Sequence, residues 1–150
     1  MTSSLPRITI YTDGGCDPNP GPGGWAVVIL SPEGTREFSG ADPETTNNRM
    51  ELTAAIQALN SVHTPSEIML FTDSQYLKRG IEEWMPRWLA KNWRGKSGPV
   101  ANQDLWKALL AAAKPHTITW HWLRGHTGDT HNSRADWLVR QARRKLKNGS

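Results

Sequence analysis

The sequence of 150 residues has the length of one ordinary domain and is long enough to bury a core without disulfide bonds. Its composition, 37% hydrophobic with eight Trp and 21% charged, excludes a disordered chain. No apolar run reaches the roughly 18 residues of a membrane span, and the chain does not begin with a basic region followed by an apolar run. Because Cys16 is the only cysteine of the sequence, an internal disulfide is excluded. We therefore expect a single domain over residues 1–150, a cytoplasmic monomer with no membrane partner.

The charge is distributed unevenly along the chain. Residues 1–75 carry three Lys and Arg against nine Asp and Glu, residues 76–114 carry eight against three, and residues 115–150 carry seven against two. This asymmetry has two readings, chance and function. The functional reading is that the basic segments bind a polyanion while carboxylates of the acidic segment bind metal ions.

The first third of the chain predicts an antiparallel meander of three strands. Apolar and polar side chains alternate in the first strand, and a stretch rich in Gly and Pro, Gly14–Gly24, predicts a loop after it. The predicted strands are Arg7–Asp13, Trp25–Leu30 and about Thr35–Gly40, with a tight turn at Ser31–Gly34 before the last of them.

The period of the apolar pattern then changes to 3.6 residues. It predicts a helix capped by Thr45 or Thr46, with an apolar stripe formed by Leu52, Ile56, Leu59 and, as a further candidate, Val62. The later predicted elements are the strand Glu67–Asp73, the helices Ser74–Arg79 and Ile81–Ala90, a loop to Pro99, a helix from Asn102 or Gln103 to Ala113, the strand Thr117–Leu123 and a helix over about Asn132–Leu146. Because a strand, a long helix and a strand imply a parallel crossover, the prediction is an α/β fold. Its sheet is five-stranded and mixed, an antiparallel meander plus parallel strands, with helices on both faces.

Four carboxylates are candidates for a metal site. The first and fourth strands both end in Thr-Asp, at Asp13 and Asp73, and parallel neighbours would bring these carboxylates to the same sheet edge. Glu51 borders the buried stripe of the first helix, and Asp136 lies one turn into the last helix. Each of them alone also fits an ordinary turn, cap or surface role. Together they would need divalent cations to stay ionised, and hard oxygen ligands suit Mg²⁺ or Mn²⁺.

Four motifs, spread over about residues 7 to 146, resemble those of bacterial type I ribonuclease H. The most specific of them is the run from Thr46 to Glu51. The motifs read Thr12-Asp-Gly-Gly-Cys16 with Asn19-Pro-Gly-Pro-Gly-Gly24, Thr45-Thr-Asn-Asn-Arg-Met-Glu-Leu52, Thr72-Asp-Ser-Gln-Tyr76, and Arg124-Gly-His-Thr-Gly128 with Asn132-Ser-Arg-Ala-Asp136. The resemblance implies a ribonuclease H-like fold and a metal-dependent endonuclease that cuts the RNA strand of an RNA·DNA hybrid, leaving a 5′ phosphate and a 3′ hydroxyl.

The resemblance also implies the roles of the site residues. Asp13 would bridge two Mg²⁺ ions, Glu51 and Asp73 would complete the coordination of one, and Asp136 would hold the second, with Mn²⁺ able to substitute. His126 would move a proton during catalysis, a role that suits its near-neutral pKa. It is one of four histidines spaced five residues apart, a spacing that matches neither helix nor strand and that we interpret as coincidence, not as a zinc cluster.

The same resemblance implies a substrate surface. Short polar side chains suit the 2′-hydroxyls that distinguish RNA from DNA, and the matching positions are Cys16, Asn19, Thr46, Asn47, Asn48 and Gln75. A second group corresponds to the basic handle of one branch of the family, here about residues 81–99, which grips the DNA strand. It interleaves aromatic and basic residues, namely Trp84, Trp88, Lys91, Trp93, Arg94 and Lys96. The tryptophan rings are also expected to pack partly inward, while the charged groups stay in water.

Two positions depart from the family pattern. Gly15 stands where the family commonly has Ser, which is expected to loosen the first active-site loop, and residues 127–133 lack the Pro and paired Glu common in bacterial relatives. Neither change removes a proposed ligand. Two alternative classes remain: a non-catalytic hybrid-binding module of the same fold, which would not need to retain all four carboxylates and His126, and an integrase or transposase nuclease, which would need further domains.

Overall fold

A computed structural model describes residues 5–95, 98–124 and 130–148. Within these ranges the strands are β1 (Arg7–Cys16), β2 (Gly21–Ser31), β3 (Gly34–Thr45), β4 (Glu67–Thr72), β5 (Arg94–Gly95), β6 (Gly98–Pro99) and β7 (Thr117–Trp122). Five of them form the main sheet, in the order β3-β2-β1-β4-β7. The first three pair antiparallel, whereas β4 pairs parallel with both β1 and β7. The predicted five-stranded mixed sheet is confirmed.

Within the described ranges, five α-helices accompany the strands. They are α1 (Asn47–Asn60), α2 (Gln75–Arg79), α3 (Met85–Ala90), α4 (Gln103–Ala113) and α5 (Thr130–Asn148). The Thr46 side chain accepts the backbone N–H of Arg49, so Thr46 caps α1 as one of the two predicted candidates. No helix in the described ranges is long and apolar enough to cross a bilayer.

Alternation along the central strands builds two apolar layers. Ile10 of β1 belongs to the large core beneath α1, while the next residue, Tyr11, belongs to a smaller cluster on the opposite face with Ala135 of α5. Since successive strand residues point to opposite faces, α1 and α5 cover the two sides of the sheet. The prediction of helices on both faces is therefore confirmed.

The predicted loop over Gly14–Gly24 is wrong. β1 continues to Cys16 and β2 begins at Gly21, and Gly15 pairs with Gly24 across the two strands. These glycines permit strand pairing where helices approach closely: a Cβ on Gly24 would lie 2.8 Å from the Val139 carbonyl oxygen of α5. The turn is therefore confined to residues 17–20, and β3 likewise extends beyond the predicted Gly40 to Thr45.

Two predictions for the basic segment also need correction. The predicted break between two helices is a π-helical turn, Gly80–Trp84, that joins α2 to α3. A Cβ at Gly80 would collide with the buried ring of Trp106 in α4. The glycine therefore lets the π-helical turn pack closely against α4. Within the predicted loop that ends at Pro99, the two-residue strands β5 and β6 pair antiparallel.

Candidate active site

Asp13 and Asp73 lie at the same edge of the sheet. The last residue pair between the parallel strands β1 and β4 is Tyr11 with Phe71. Asp13 and Asp73 each lie two positions beyond the member of that pair on their own strand. Two hydrogen bonds fix the backbone around Asp73. Thr72 Oγ1 accepts the backbone N–H of Ser74, and the Ser74 hydroxyl caps α2. The predicted juxtaposition of the two strand ends is present in the fold.

Glu51 reaches the same edge from the second turn of α1. A Cβ on Gly14 would lie 2.5 Å from the Met50 carbonyl carbon and 2.7 Å from the Glu51 nitrogen. The missing side chain at Gly14 therefore lets the backbone of α1 lie directly against β1, beside Asp13. The position of Glu51 follows from this close approach.

Asp136 joins the group from α5, on the other face of the sheet. Its carboxylate is 3.3 Å from the Arg140 guanidinium one turn later, and its side chain is 35% exposed. The neighbouring helix residue Val139 packs against Gly24 of β2 through the close contact described above. Thus one helix from each face and two strand ends supply the four carboxylates.

The four carboxylates influence one another electrostatically. Burial, together with the charges of Asp73 and Asp136, raises the pKa of Asp13 to about 7, against the smaller opposing effects of the Gly14 N–H and of Arg143. Burial, together with Asp73 and Asp13, raises the pKa of Glu51 to about 8. The site thus concentrates negative charge where water stabilises it poorly, which a cation would offset.

The donor set fits a hard divalent cation. Glu51 Oε2 is buried without a hydrogen-bond partner in the part of the chain that the structure describes, a position that is costly unless the oxygen binds a ligand. All four groups are carboxylates, which suit Mg²⁺ or Mn²⁺. As the side chains stand, no three Asp, Glu, His or Cys groups among the described residues surround a common point closely enough to hold an ion. Small side-chain movements would have to complete the coordination.

The polar candidates for substrate contact form a connected surface beside the carboxylates. Asn47 Oδ1 accepts the backbone N–H of Cys16 at 2.7 Å, and Asn19 Oδ1 accepts the backbone N–H of Asn47 at 3.1 Å. These bonds tie the β1–β2 turn to the start of α1, while both amide NH₂ groups remain as donors. Asn48, in the first turn of α1, and Gln75, in the first turn of α2, are both exposed.

The side chain of Cys16 is buried, and its predicted contact with substrate stays a prediction. Its side chain is only 8% exposed, and Sγ lies 3.0 to 3.4 Å from the carbonyl oxygens of Pro18, Gly21 and Thr45. The thiol is thus turned toward the turn's own backbone, so Cys16 shapes the surface without offering its side chain to it. Thr46 is likewise engaged, as the cap of α1.

The tryptophans of the basic handle, residues 81–99, form an aromatic cluster. The ring centroids of Trp84 and Trp88 are 6.0 Å apart, those of Trp88 and Trp93 are 5.9 Å apart, and Trp88 also meets Trp106 edge-on at 5.4 Å. Trp93 is only 9% exposed, so its ring supports the cluster, and its predicted contact with substrate stays a prediction.

The charged part of the handle is directed to solvent. Lys91 and Arg94 are exposed, as the sequence predicted for their charged groups. Lys96 of the handle and the predicted proton carrier His126 lie outside the described residues. Sequence reasoning missed Arg143, whose charge acts on Asp13, because nothing in its local sequence marks it.

Together, the mixed sheet and its edge define an α/β protein whose site is a cluster of carboxylates supplied by two strands and two helices. The RNase H family profile matches residues 6–144. A Ribonuclease H of Granulibacter bethesdensis is 56% identical over 137 residues, 91% of each chain. The chain belongs to the RNase H family.

Solved structures agree with this membership. LC9-RNase H1, described as a type 1 RNase H with the type 2 active-site motif, superimposes with a TM-score of 0.82 at 31% identity over 95% of this chain and 74% of that one. LC11-RNase H1 in complex with RNA/DNA hybrid superimposes with a TM-score of 0.70 at 27% identity, over 93% and 98% of the two chains.

Proposed function

We propose that this protein is an endonuclease that hydrolyses the RNA strand of RNA·DNA hybrids and leaves 5′-phosphate and 3′-hydroxyl ends. The observation that carries the proposal is the electrostatically coupled cluster of Asp13, Glu51, Asp73 and Asp136 at one sheet edge of an RNase H family member. Support for the substrate comes from LC11-RNase H1, whose structure contains an RNA/DNA hybrid. The proposal also includes a cytoplasmic location and a monomeric state.

Each proposed residue has a separate task in the reaction. The four carboxylates would hold two Mg²⁺ ions, or Mn²⁺, and such ions supply positive charge to the scissile phosphate and activate water. Asn19 and Asn47 would present amide groups to the 2′-hydroxyls of the RNA strand, which selects RNA at the cut site. His126 would accept and release a proton during turnover. The basic handle would bind the phosphates of the DNA strand through Lys91, Arg94 and Lys96.

The direct test of this function is cleavage of a panel of labelled nucleic acids. The protein is incubated with RNA·DNA hybrid, double-stranded RNA, double-stranded DNA and the single strands, each with Mg²⁺ and with EDTA. We expect cutting of the hybrid alone, in its RNA strand, and only with metal. Binding of the hybrid without any cleavage would identify the alternative, a non-catalytic binding module, and equal cleavage of double-stranded DNA would contradict the proposed specificity.

His126→Ala should slow hybrid cleavage by about 10²–10⁴-fold without abolishing it, because this is the typical contribution of one proton-transferring group. The pH dependence of the rate between pH 6 and 9 should also become flatter, since the titrating group is lost. Single-turnover rates measured across this range check both effects. A loss as complete as that of a metal-ligand variant would instead make His126 a ligand or a structural residue.

Replacing Lys91, Arg94 and Lys96 together by Ala should weaken hybrid binding through lost phosphate contacts. The slope of log K against log salt should fall by about 2–3, at roughly 0.9 per phosphate, and KM should rise while kcat changes little, since these contacts stabilise ground and transition states alike. Cleavage measured at several KCl concentrations gives both quantities.

The matched control removes three cations at the opposite end of the sheet: Arg7, Arg36 and Lys114, all exposed. It should leave the salt slope close to that of the wild type. An unchanged salt slope in the handle variant would show that the handle is only a solvated surface and does not bind phosphates. A large fall in kcat with KM intact would show that it positions the scissile strand.

A further inference from the structure

A basic cleft lies between the second half of α5 and the β1–β2 turn. Its lining consists of Asp17 and Pro22 from the turn and Arg140, Arg143 and Arg144 from the helix. The three arginines occupy positions i, i+3 and i+4 of one helix, which places them on the same face. Three guanidinium groups therefore converge on a recess that contains one carboxylate.

Only one of the three arginines of this cleft has an ion-pair partner among the described residues. Arg140 pairs with Asp136 at 3.3 Å. Arg143 and Arg144 have no ion-pair partner within 4 Å in the ranges that the structure describes. Two guanidiniums with unused donors thus remain for an external anion, and guanidinium matches phosphate oxygens through paired hydrogen bonds.

The cleft adjoins the carboxylate cluster. Arg143 is near enough to lower the pKa of Asp13 by its charge. The Arg143 side chain lies over Gly24, the residue of β2 that pairs with Gly15 of β1. A Cβ added to Gly24 would lie 3.3 Å from the Arg143 Cγ. On the other side the cleft borders the turn that carries Asn19. A nucleic-acid backbone that crosses the carboxylates toward Asn19 would pass this cleft.

We propose that Arg143 and Arg144 bind one backbone phosphate of the RNA·DNA hybrid beside the phosphate that is cut, and so position the scissile strand. This inference rests on the proposed function and adds a phosphate subsite to it. The carboxylate of Asp17 disfavours a highly charged free anion in the same recess, whereas a backbone phosphodiester carries a single negative charge and is held from both sides by the rest of the duplex.

The first test compares Arg143→Gln/Arg144→Gln with the control Arg7→Gln/Arg36→Gln, which removes the same charge at the far end of the sheet. Hybrid dissociation constants are measured in EDTA at several KCl concentrations, so that no cleavage occurs. The cleft variant should bind about tenfold more weakly at low salt, as expected when charged hydrogen bonds are lost, with a salt slope reduced by about 1, the value for one phosphate. Equal behaviour of the two variants would overturn the proposal.

The second test locates the phosphate. Hybrids that carry one neutral methylphosphonate linkage at successive positions near the cut site are bound to the wild type and to the cleft variant. At one position the neutral linkage should weaken hybrid binding by the wild type several-fold but leave binding by the cleft variant unchanged. The effects of losing the phosphate charge and of losing the arginines are not additive when the two groups contact each other. Absence of such a position would show that the arginines contribute only a diffuse field, which contradicts the proposal.

Further controls keep the outcome unambiguous. The single variant Arg144→Gln changes an exposed side chain and repeats the test if the double variant does not give a cooperative unfolding transition. Inorganic phosphate alone, at millimolar concentration and constant ionic strength, should leave hybrid binding unchanged, and strong competition would overturn the assignment to a backbone phosphate. If the methylphosphonate and arginine substitutions are non-additive in binding but the protein cuts no hybrid, the proposed function is refuted while the phosphate subsite is still supported.

Discussion

Asp13→Asn is expected to abolish cleavage while the fold and the binding of hybrid remain. Asp13 lies where β1 leaves β4, and its carboxylate is coupled to those of Asp73 and Asp136. The substitution keeps the side-chain volume and removes the charge that a bridging ligand needs. We expect the rate to fall by at least about 10³-fold, which corresponds to roughly 4 kcal/mol of transition-state stabilisation.

The control for this variant is Glu33→Gln, which removes one carboxylate from the exposed β2–β3 turn at the other end of the sheet. It should cut hybrid at the wild-type rate. Single-turnover cleavage under saturating enzyme separates chemistry from binding for both variants. Activity of Asp13→Asn within about tenfold of the wild type would mean that Asp13 is not the bridging ligand.

Gly14→Ala should impair both the stability of the fold and cleavage, because the new methyl group has no room. It would lie 2.5 Å from the Met50 carbonyl and force the start of α1, with Glu51, away from β1. Overpacking of this kind costs about 1–3 kcal/mol of stability, and a 1 Å displacement of a catalytic group costs about 10²-fold in rate. Both thermal unfolding and cleavage should therefore be affected.

Gly15→Ala provides the adjacent control for this prediction. A Cβ there meets only the Val139 side chain, at 3.9 Å, an ordinary van der Waals contact. This variant should keep both stability and activity. Equal activity of the two alanine variants would show that the close approach of α1 to β1 does not control the position of Glu51.

The order of elements was predictable because the hydrophobic periods of the central strands and of α1 are undisturbed. Ile10, Leu52 and Leu70 are fully buried, as the periods of their elements indicate. The ends of β1 and β2 were not predictable from local sequence. Glycines normally end strands, but here β1 and β2 stay paired through Gly14 and Gly24, where α1 and α5 respectively approach too closely for a side chain. That information lies in tertiary packing and is absent from any short window.

The candidate site divides in the same way. The matching Thr-Asp strand ends predicted that Asp13 and Asp73 meet, since parallel neighbours share an edge. Glu51 and Asp136 look like ordinary surface residues until the family motifs are considered. The burial of Cys16 could not be predicted, because it depends on how the β1–β2 turn closes around the thiol.

The two departures from the family pattern have different structural settings. Gly15 lies within β1, paired with Gly24, so it belongs to a strand and not to the loop that the sequence predicted. Of the altered segment 127–133, the last four residues form the first turn of α5, while residues 127–129 lie outside the described ranges. Their effects on rate stay predictions.

Metal-free protein should lose stability as the pH rises through the titration of the cluster. Folding raises the pKa of Asp13 from 3.8 to about 7 and that of Glu51 from 4.5 to about 8. The folded state therefore binds more protons than the unfolded state between about pH 4 and pH 8, and the free energy of unfolding decreases with pH across this window. In EDTA, Asp13→Asn should be more stable than the wild type at pH 8, and the difference should vanish near pH 4.

The most direct test of the central claim, that these carboxylates form a cation site, is thermal unfolding at pH 8 with and without Mg²⁺ at constant ionic strength. A cation that binds only the folded protein raises the midpoint with concentration. We predict that Mg²⁺ raises the midpoint of the wild type and of Glu33→Gln by several degrees, but not that of Asp13→Asn. An equal rise in all three proteins would place the cation elsewhere and contradict the account.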